Sequence, residues 1–216
     1  ANAISTDKTA SIKFGLNVVA TQVTYEKDSF DNTYDKTAGY PAATVGALQN
    51  ALAAGGSVTV ANDMDPAETL TTTKKATLDA NGKTIANTTD IWEVTPIDWS
   101  LVSARGSDAN LTITGNGKFK AKANDCYAVD VQDGATVTIE NGTFNGNIHA
   151  VYVLEGTAYI KGGFFSVQQK YPDTTKADGF VLNCYDANRA NGTATIVVTG
   201  GTFVNFNPAD CWAEGE

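Results

Sequence analysis

The chain has 216 residues, of which 42% are apolar and only 18% charged, with 20 Gly, enough for one sizeable domain with a real core or for a domain plus an arm. Many Thr and Asn accompany the Gly, a composition that suits an all-β protein rich in tight turns and excludes a disordered one. The 24 acidic and 15 basic residues leave a net charge of -9 without blocks of one sign, which argues against a nucleic-acid partner, because such binding rests on Lys and Arg neutralising phosphates.

Residues 1–42 stand apart from the rest of the chain. The start "ANAISTDKTA" does not read as a signal peptide, and Ala1 suits removal of an initiator Met or an earlier cleavage. No apolar run approaches the ~18 residues that span a bilayer, so no membrane partner is expected. The stretch "SIKFGLNVVATQVTY" alternates at Ile12, Phe14, Leu16 and Val18, which predicts one or two strands before the polar loop "EKDSFDNTYDKTAGYP". Two readings stay open for this segment: a strand along the side of the body, or an arm that adds to the sheet of another subunit.

A helix is predicted over 43–56. Thr44 offers an N-cap, Val45, Leu48 and Leu52 fall at i, i+3 and i+7, and Gly55-Gly56 stops it before a strand at 57–60. An amphipathic helix here covers the first apolar rung of the repeats behind it.

From residue 57 to 216 the chain repeats itself. "ATLDANGKTIAN" at 76–87, "NLTITGNGKFKA" at 110–121, "ATVTIENGTFNG" at 135–146, "TAYIKGGFFSV" at 157–167 and "TATIVVTGGTFVNF" at 193–206 are versions of one phrase. Each places an aliphatic residue (Leu78, Ile113, Ile139, Ile160, Val198) before a turn and a second apolar residue after it (Ile85, Phe119, Phe144, Phe165, Phe203). The turn column is Asn81-Gly82, Asn116-Gly117, Asn141-Gly142, Gly162-Gly163 and Gly200-Gly201, where a positive φ is expected. Further apolar strands, "YAVDV", "AVYVL" and "FVLNCY", lie between phrases. Periods of about 20 to 25 residues with short strands predict a parallel solenoid in which the aliphatic and aromatic positions form ladders. The 38 residues from Phe165 to Phe203 are explained by an insertion, "QQKYPDTTKADG". The alternative is a hairpin at each Asn-Gly. After the last phrase comes "NFNPADCWAEGE", where Cys211 and Trp212, or a partner, are expected to cover the final rung. An open rung favours assembly into a homo-oligomer.

A capping helix of the form "ALQNALAAGGSVTVAND", then "ATLDANGKTI", then repeated "VTIENGTF" and "GGTF" rungs, resembles right-handed parallel β-helix domains of the pectate-lyase-like superfamily. The likeness covers about 43–207 and lies nearest to the non-enzymatic β-helix domains of bacteriophage virion proteins and of cell-surface proteins in gut and environmental bacteria. It implies an all-β fold, a right-handed parallel β-helix with an N-terminal capping helix, to which the alternation at 12–18 adds a short β arm, and it is poor for function, because a fold hosts many activities.

Catalysis in that superfamily implies acids gathered for Ca²⁺ with a Lys or Arg base, or paired carboxylates. The corresponding patterns "NTD", a "DD" pair, "GHG" and "RxK" are absent here, so no catalytic residue, metal or cofactor is expected. The single histidine, His149, reads as a surface or structural residue with nothing to orient it, and Arg105 and Arg189 read as loop residues. Asp63 and Asp65, and Asp125, Asp130 and Asp133, read as solvated turn acids. Cys126, Cys184 and Cys211 match no disulfide or metal spacing and read as buried or capping thiols made in a reducing compartment. Among the aromatics Trp92, Trp99, Tyr127, Tyr152, Tyr171 and Tyr185, a candidate glycan-binding rim is Trp92, Trp99 and Tyr171, in loops that interrupt the rungs. The expectation that fits best is a structural virion component, such as a capsid decoration, head-fibre or tail-associated protein, assembled in a host cytoplasm with coat or fibre subunits as partners. A secreted or surface carbohydrate-binding protein is the alternative, and a polysaccharide lyase or hydrolase the third.

Overall fold

The computed structural model describes residues 41–88, 100–169 and 180–209. The chain divides into two units, Ala1–Ala38 and Gly39–Glu216, and every described residue belongs to the second. The segment read as an arm or strand over 12–18, the rim residues Trp92, Trp99 and Tyr171, and the pair Cys211 and Trp212 lie outside the described residues.

The described chain runs α1 (Val45–Ala54), β1 (Gly56–Thr59), β2 (Leu70–Thr72), β3 (Lys75–Asp79), β4 (Thr84–Ala86), β5 (Ser100–Arg105), β6 (Asn110–Thr114), β7 (Lys118–Lys120) and β8 (Tyr127–Gln132). It continues through β9 (Ala135–Ile139), β10 (Thr143–Gly146), β11 (His149–Val153), β12 (Gly156–Ile160), β13 (Phe164–Val167), β14 (Leu182–Cys184), α2 (Asp186–Ala190), β15 (Ala194–Val198) and β16 (Thr202–Phe203). Three parallel sheets result, ordered β1-β3-β6-β9-β12-β15, β4-β7-β10-β13-β16 and β2-β5-β8-β11-β14. From β2 to β13, each strand pairs with the strand three places further along the chain, an arrangement compatible with a β-helix or solenoid.

Each repeated phrase is therefore two strands in two different sheets. β9 pairs with β6 and β12, while β10 pairs with β7 and β13. The hairpin alternative fails on this point, because the strands flanking each turn do not pair with each other. The strands between phrases, β8, β11 and β14, belong to the third sheet.

Parallel in-register pairing places equal phrase positions above one another. In the first sheet Leu78, Ile113, Ile139, Ile160 and Val198 fall in one column, preceded by Val58. In the second, Ile85, Phe119, Phe144, Phe165 and Phe203 do the same. The Phe rings stack at centroid separations of 4.8, 5.2 and 5.1 Å, close to the strand spacing of about 4.8 Å. Burying a Phe contributes about 1.5–3 kcal/mol and stacking adds about 0.5–1.5, so this column is a main source of cohesion. A third column, Leu70, Val102, Val129, Val151 and Leu182, completes the core.

The turn column is not uniform. Asn81 and Gly82 both have positive φ, and so do Gly115 and Asn116, whereas in the later phrases only the second residue does: Gly142, Gly163 and Gly201 at 119°, 114° and 119°. Asn141, Gly117, Gly162 and Gly200 are outside the left-handed region. The physical demand at Gly117 is space instead, since a Cβ there would meet that of Ala80 at 2.2 Å. Asn141 serves through its side chain, whose Oδ1 accepts the N–H of Asn116 at 2.9 Å across neighbouring repeats.

α1 closes one end of the sheets. Thr44 Oγ1 accepts the N–H of Ala47 at 3.2 Å, and Gly55, at φ 82°, donates its N–H to Ala51. Leu48 and Leu52 are fully buried, and Val45 packs beside them against the core. The Gln49 carboxamide takes the place of a neighbouring strand for edge strand β2, donating to Thr71 C=O and accepting Thr71 N–H, each at 2.9 Å. Ala42 pairs with Val60 beyond β1, and Met64 pairs with Ile85 in β4. The first edges of β2 and β4 are thus covered, and that of β1 is met at its C-terminal end.

Candidate functional site

The third sheet carries the polar residues that the ladders do not explain. Alternation along β5, β8, β11 and β14 turns Val102, Val129, Val151 and Leu182 to one face and Ser103, Asp130, Tyr152 and Asn183 to the other. Ser103 and Asp130 are 0% exposed and Asn183 9%, so this second face is buried at those positions and half-buried at Tyr152.

Asp130 is the centre of the cluster. Its Oδ2 accepts from Ser103 Oγ at 3.3 Å and from Gln132 Nε2 at 2.5 Å, and the Arg105 guanidinium lies 3.9 Å away. Arg105 Nε in turn donates to Ser103 Oγ at 3.1 Å. Oδ1 of Asp130 is buried without a hydrogen-bond partner among the described residues. Burial pushes the carboxyl up to about 6, against the opposing pull of Arg105 and of the Gln132 and Ser103 hydrogen bonds. Asp130 is therefore not the solvated turn acid expected from its spacing with Asp125 and Asp133. Those two sit in turns with φ of 40° and 56°, while Asp130 lies within a strand.

His149 is held as firmly. Its Nδ1 lies 2.6 Å from the Phe180 carbonyl, a partner that only accepts, so Nδ1 carries the proton and donates it. Nε2, at 3.2 Å from Asn183 Nδ2, then accepts. Tyr127 and Tyr152 stack on the ring at centroid distances of 5.3 and 5.5 Å and on each other at 4.6 Å. The expectation that nothing orients this histidine is thus overturned: two hydrogen bonds and two rings do. Burial lowers its pKa to about 4, so it is neutral over the usual range. Both ring nitrogens are committed, which leaves no lone pair or proton for a substrate.

The remaining candidates fall into place around the sheets. Arg105 ends β5 and Arg189 lies in α2, bonded to Asp186 at 3.8 Å, rather than both in loops. Asp63 and Asp65 tie neighbouring repeats together, accepting the N–H of Thr84 at 2.8 Å and of Thr88 at 2.9 Å, and Asp65 also takes the Thr88 hydroxyl. Among the described residues no three His, Cys, Asp or Glu side chains gather to hold a metal ion. Cys126 is buried, with its thiol pushed up to about 12 by desolvation, and Cys184 is half-buried. Tyr185 is exposed, and Tyr127 and Tyr152 are half-buried around His149 rather than forming a row of open rings.

What the cluster can do chemically is take up and release a proton inside the sheet. Ser103, Asp130, Gln132 and Asn183 belong to no repeated phrase, and only strand register joins them. At the far end of the sheets a groove of about 350 Å³ lies among Leu182, Ala194, Ile196, Val198 and Phe206, with Asp186 and Arg189 also lining it. No family model, curated protein or solved structure matches this chain.

Proposed function

We propose that the three sheets are the faces of a right-handed parallel β-helix, and that this body is a structural component of a bacteriophage virion acting through protein assembly. Pairing of every strand from β2 to β13 with the one three places along supports the coil, and right-handedness is the rule for parallel crossover connections. The observation that carries the assembly reading is the unequal treatment of the two edges. The first edges of β2 and β4 are covered by Gln49 of α1 and by Met64, and that of β1 is met at its end by Ala42, whereas the outer edge of β15 has no hydrogen-bond partner among the described residues. An uncovered edge is a template for another chain.

Mass spectrometry of density-gradient-purified particles from the source culture tests this. Recovery at a fixed ratio to the major coat protein is expected. Absence from particles, with the protein found in the medium or on cells, would sink the virion reading and bring the carbohydrate-binding alternative forward.

A further inference from the structure

We propose that the open edge of β15 pairs with β15 of a second copy, antiparallel about a two-fold axis at Ile196; this deepens the assembly reading and rests on it. Thr199 donates its N–H to Ile160 C=O at 2.8 Å, and Thr193 C=O accepts from Gly156 at 2.8 Å. In a parallel ladder the N–H and C=O of one residue point the same way and those of its neighbours the opposite way. Thr195, Val197 and Thr199 therefore bond towards β12, whereas Ala194, Ile196 and Val198 turn both groups to the open edge. Three outward residues pair fully in one antiparallel register, with Ile196 opposite Ile196 and Ala194 opposite Val198 of the other copy.

The side chains match this pairing. Ile196 and Val198 stand above Ala158 and Ile160, which are fully buried, yet are only half-buried themselves, and Val197 is 38% exposed. The strand "ATIVV" has no Lys, Pro or bulge to discourage pairing. Of the described groove residues beside it only Asp186 and Arg189 are charged, one of each sign. In a chain of net charge -9 this balanced pair adds no net repulsion between two copies, and a two-fold contact requires such self-complementarity.

Sedimentation equilibrium of the full chain tests the pairing. In the proposed register Thr195 lies beside Val197 of the other copy, on the exposed face. Thr195→Lys combined with Val197→Lys sets like charges across both contacts and is expected to weaken dimerisation at least about tenfold. Thr195→Glu combined with Val197→Lys sets opposite charges there and is expected to restore it. Both variants alter exposed positions, and unchanged circular dichroism verifies their folding. A wild-type chain that is monomeric at every concentration, a double-Lys variant that dimerises like the wild type, or an open-ended series of larger species would each overturn the proposal. A monomer in solution that is still recovered from particles at a fixed ratio would remove the dimer and leave the virion reading standing.

Discussion

At the scale of single residues, Asp130 and His149 set opposing pH dependences. Asp130 has its pKa raised from 3.8 to about 6, so the stability its protonated form contributes is present below 3.8 and is lost as pH rises to about 6. His149 has its pKa lowered from 6.5 to about 4, so its contribution is present above 6.5 and is lost as pH falls towards 4. Between about pH 4 and 6 the two slopes, each at most about 1.4 kcal/mol per pH unit, largely cancel. Urea denaturation across that window should therefore show stability falling with pH in His149→Gln and rising with pH in Asp130→Asn. Two variant profiles parallel to the wild type would mean that neither group titrates as its surroundings dictate.

Among the elements, the most informative contact is the one between α1 and β2. A helix cannot continue a parallel ladder through its own backbone, whose N–H and C=O groups are already paired within it. Gln49 solves this by presenting a side-chain amide with the donor and acceptor of a strand. Gln49→Ala should cost about 1–3 kcal/mol, the range for two part-buried hydrogen bonds whose partners are left without them. It should also speed hydrogen exchange at Thr71 more than at Val102 in β5, the next strand of the sheet. Equal effects at both would assign Gln49 a general packing role instead. The Phe column works differently, because its cohesion comes from neighbours of its own kind and is insensitive to any single backbone group.

For the whole molecule, three columns of side chains share one interior, so opening one repeat exposes the ladder residues of its neighbours. Cys126 reports this. It is buried and its thiol is held far above the reactive range, while Cys184 is half-buried in the last strand of the third sheet. Under native conditions at mildly alkaline pH, Cys184 should react with a thiol reagent well before Cys126, and Cys126 at the rate of global unfolding. Equal rates would indicate that the middle repeats open independently of the rest.

The all-β class, the parallel pairing and both phrase ladders were legible in the amino-acid order, because a parallel in-register sheet sets equal positions of a repeat side by side, as with Phe119, Phe144 and Phe165. The helix from Thr44 to Gly55 was legible too, through local capping chemistry. The split of the turn column was not, since φ at Asn116 or Gly142 depends on how each turn meets the neighbouring repeat. Least legible was the polar face of the third sheet. Asp130 read locally as a solvated turn acid and His149 as a surface or structural residue with nothing to orient it. Their burial and their partners Ser103, Phe180 and Asn183, 27 to 34 residues away, come from stacking unlike segments. Sequence periodicity decided what repeats; only the tertiary structure decided what the residues between the repeats touch, because those contacts are non-local and each is made once.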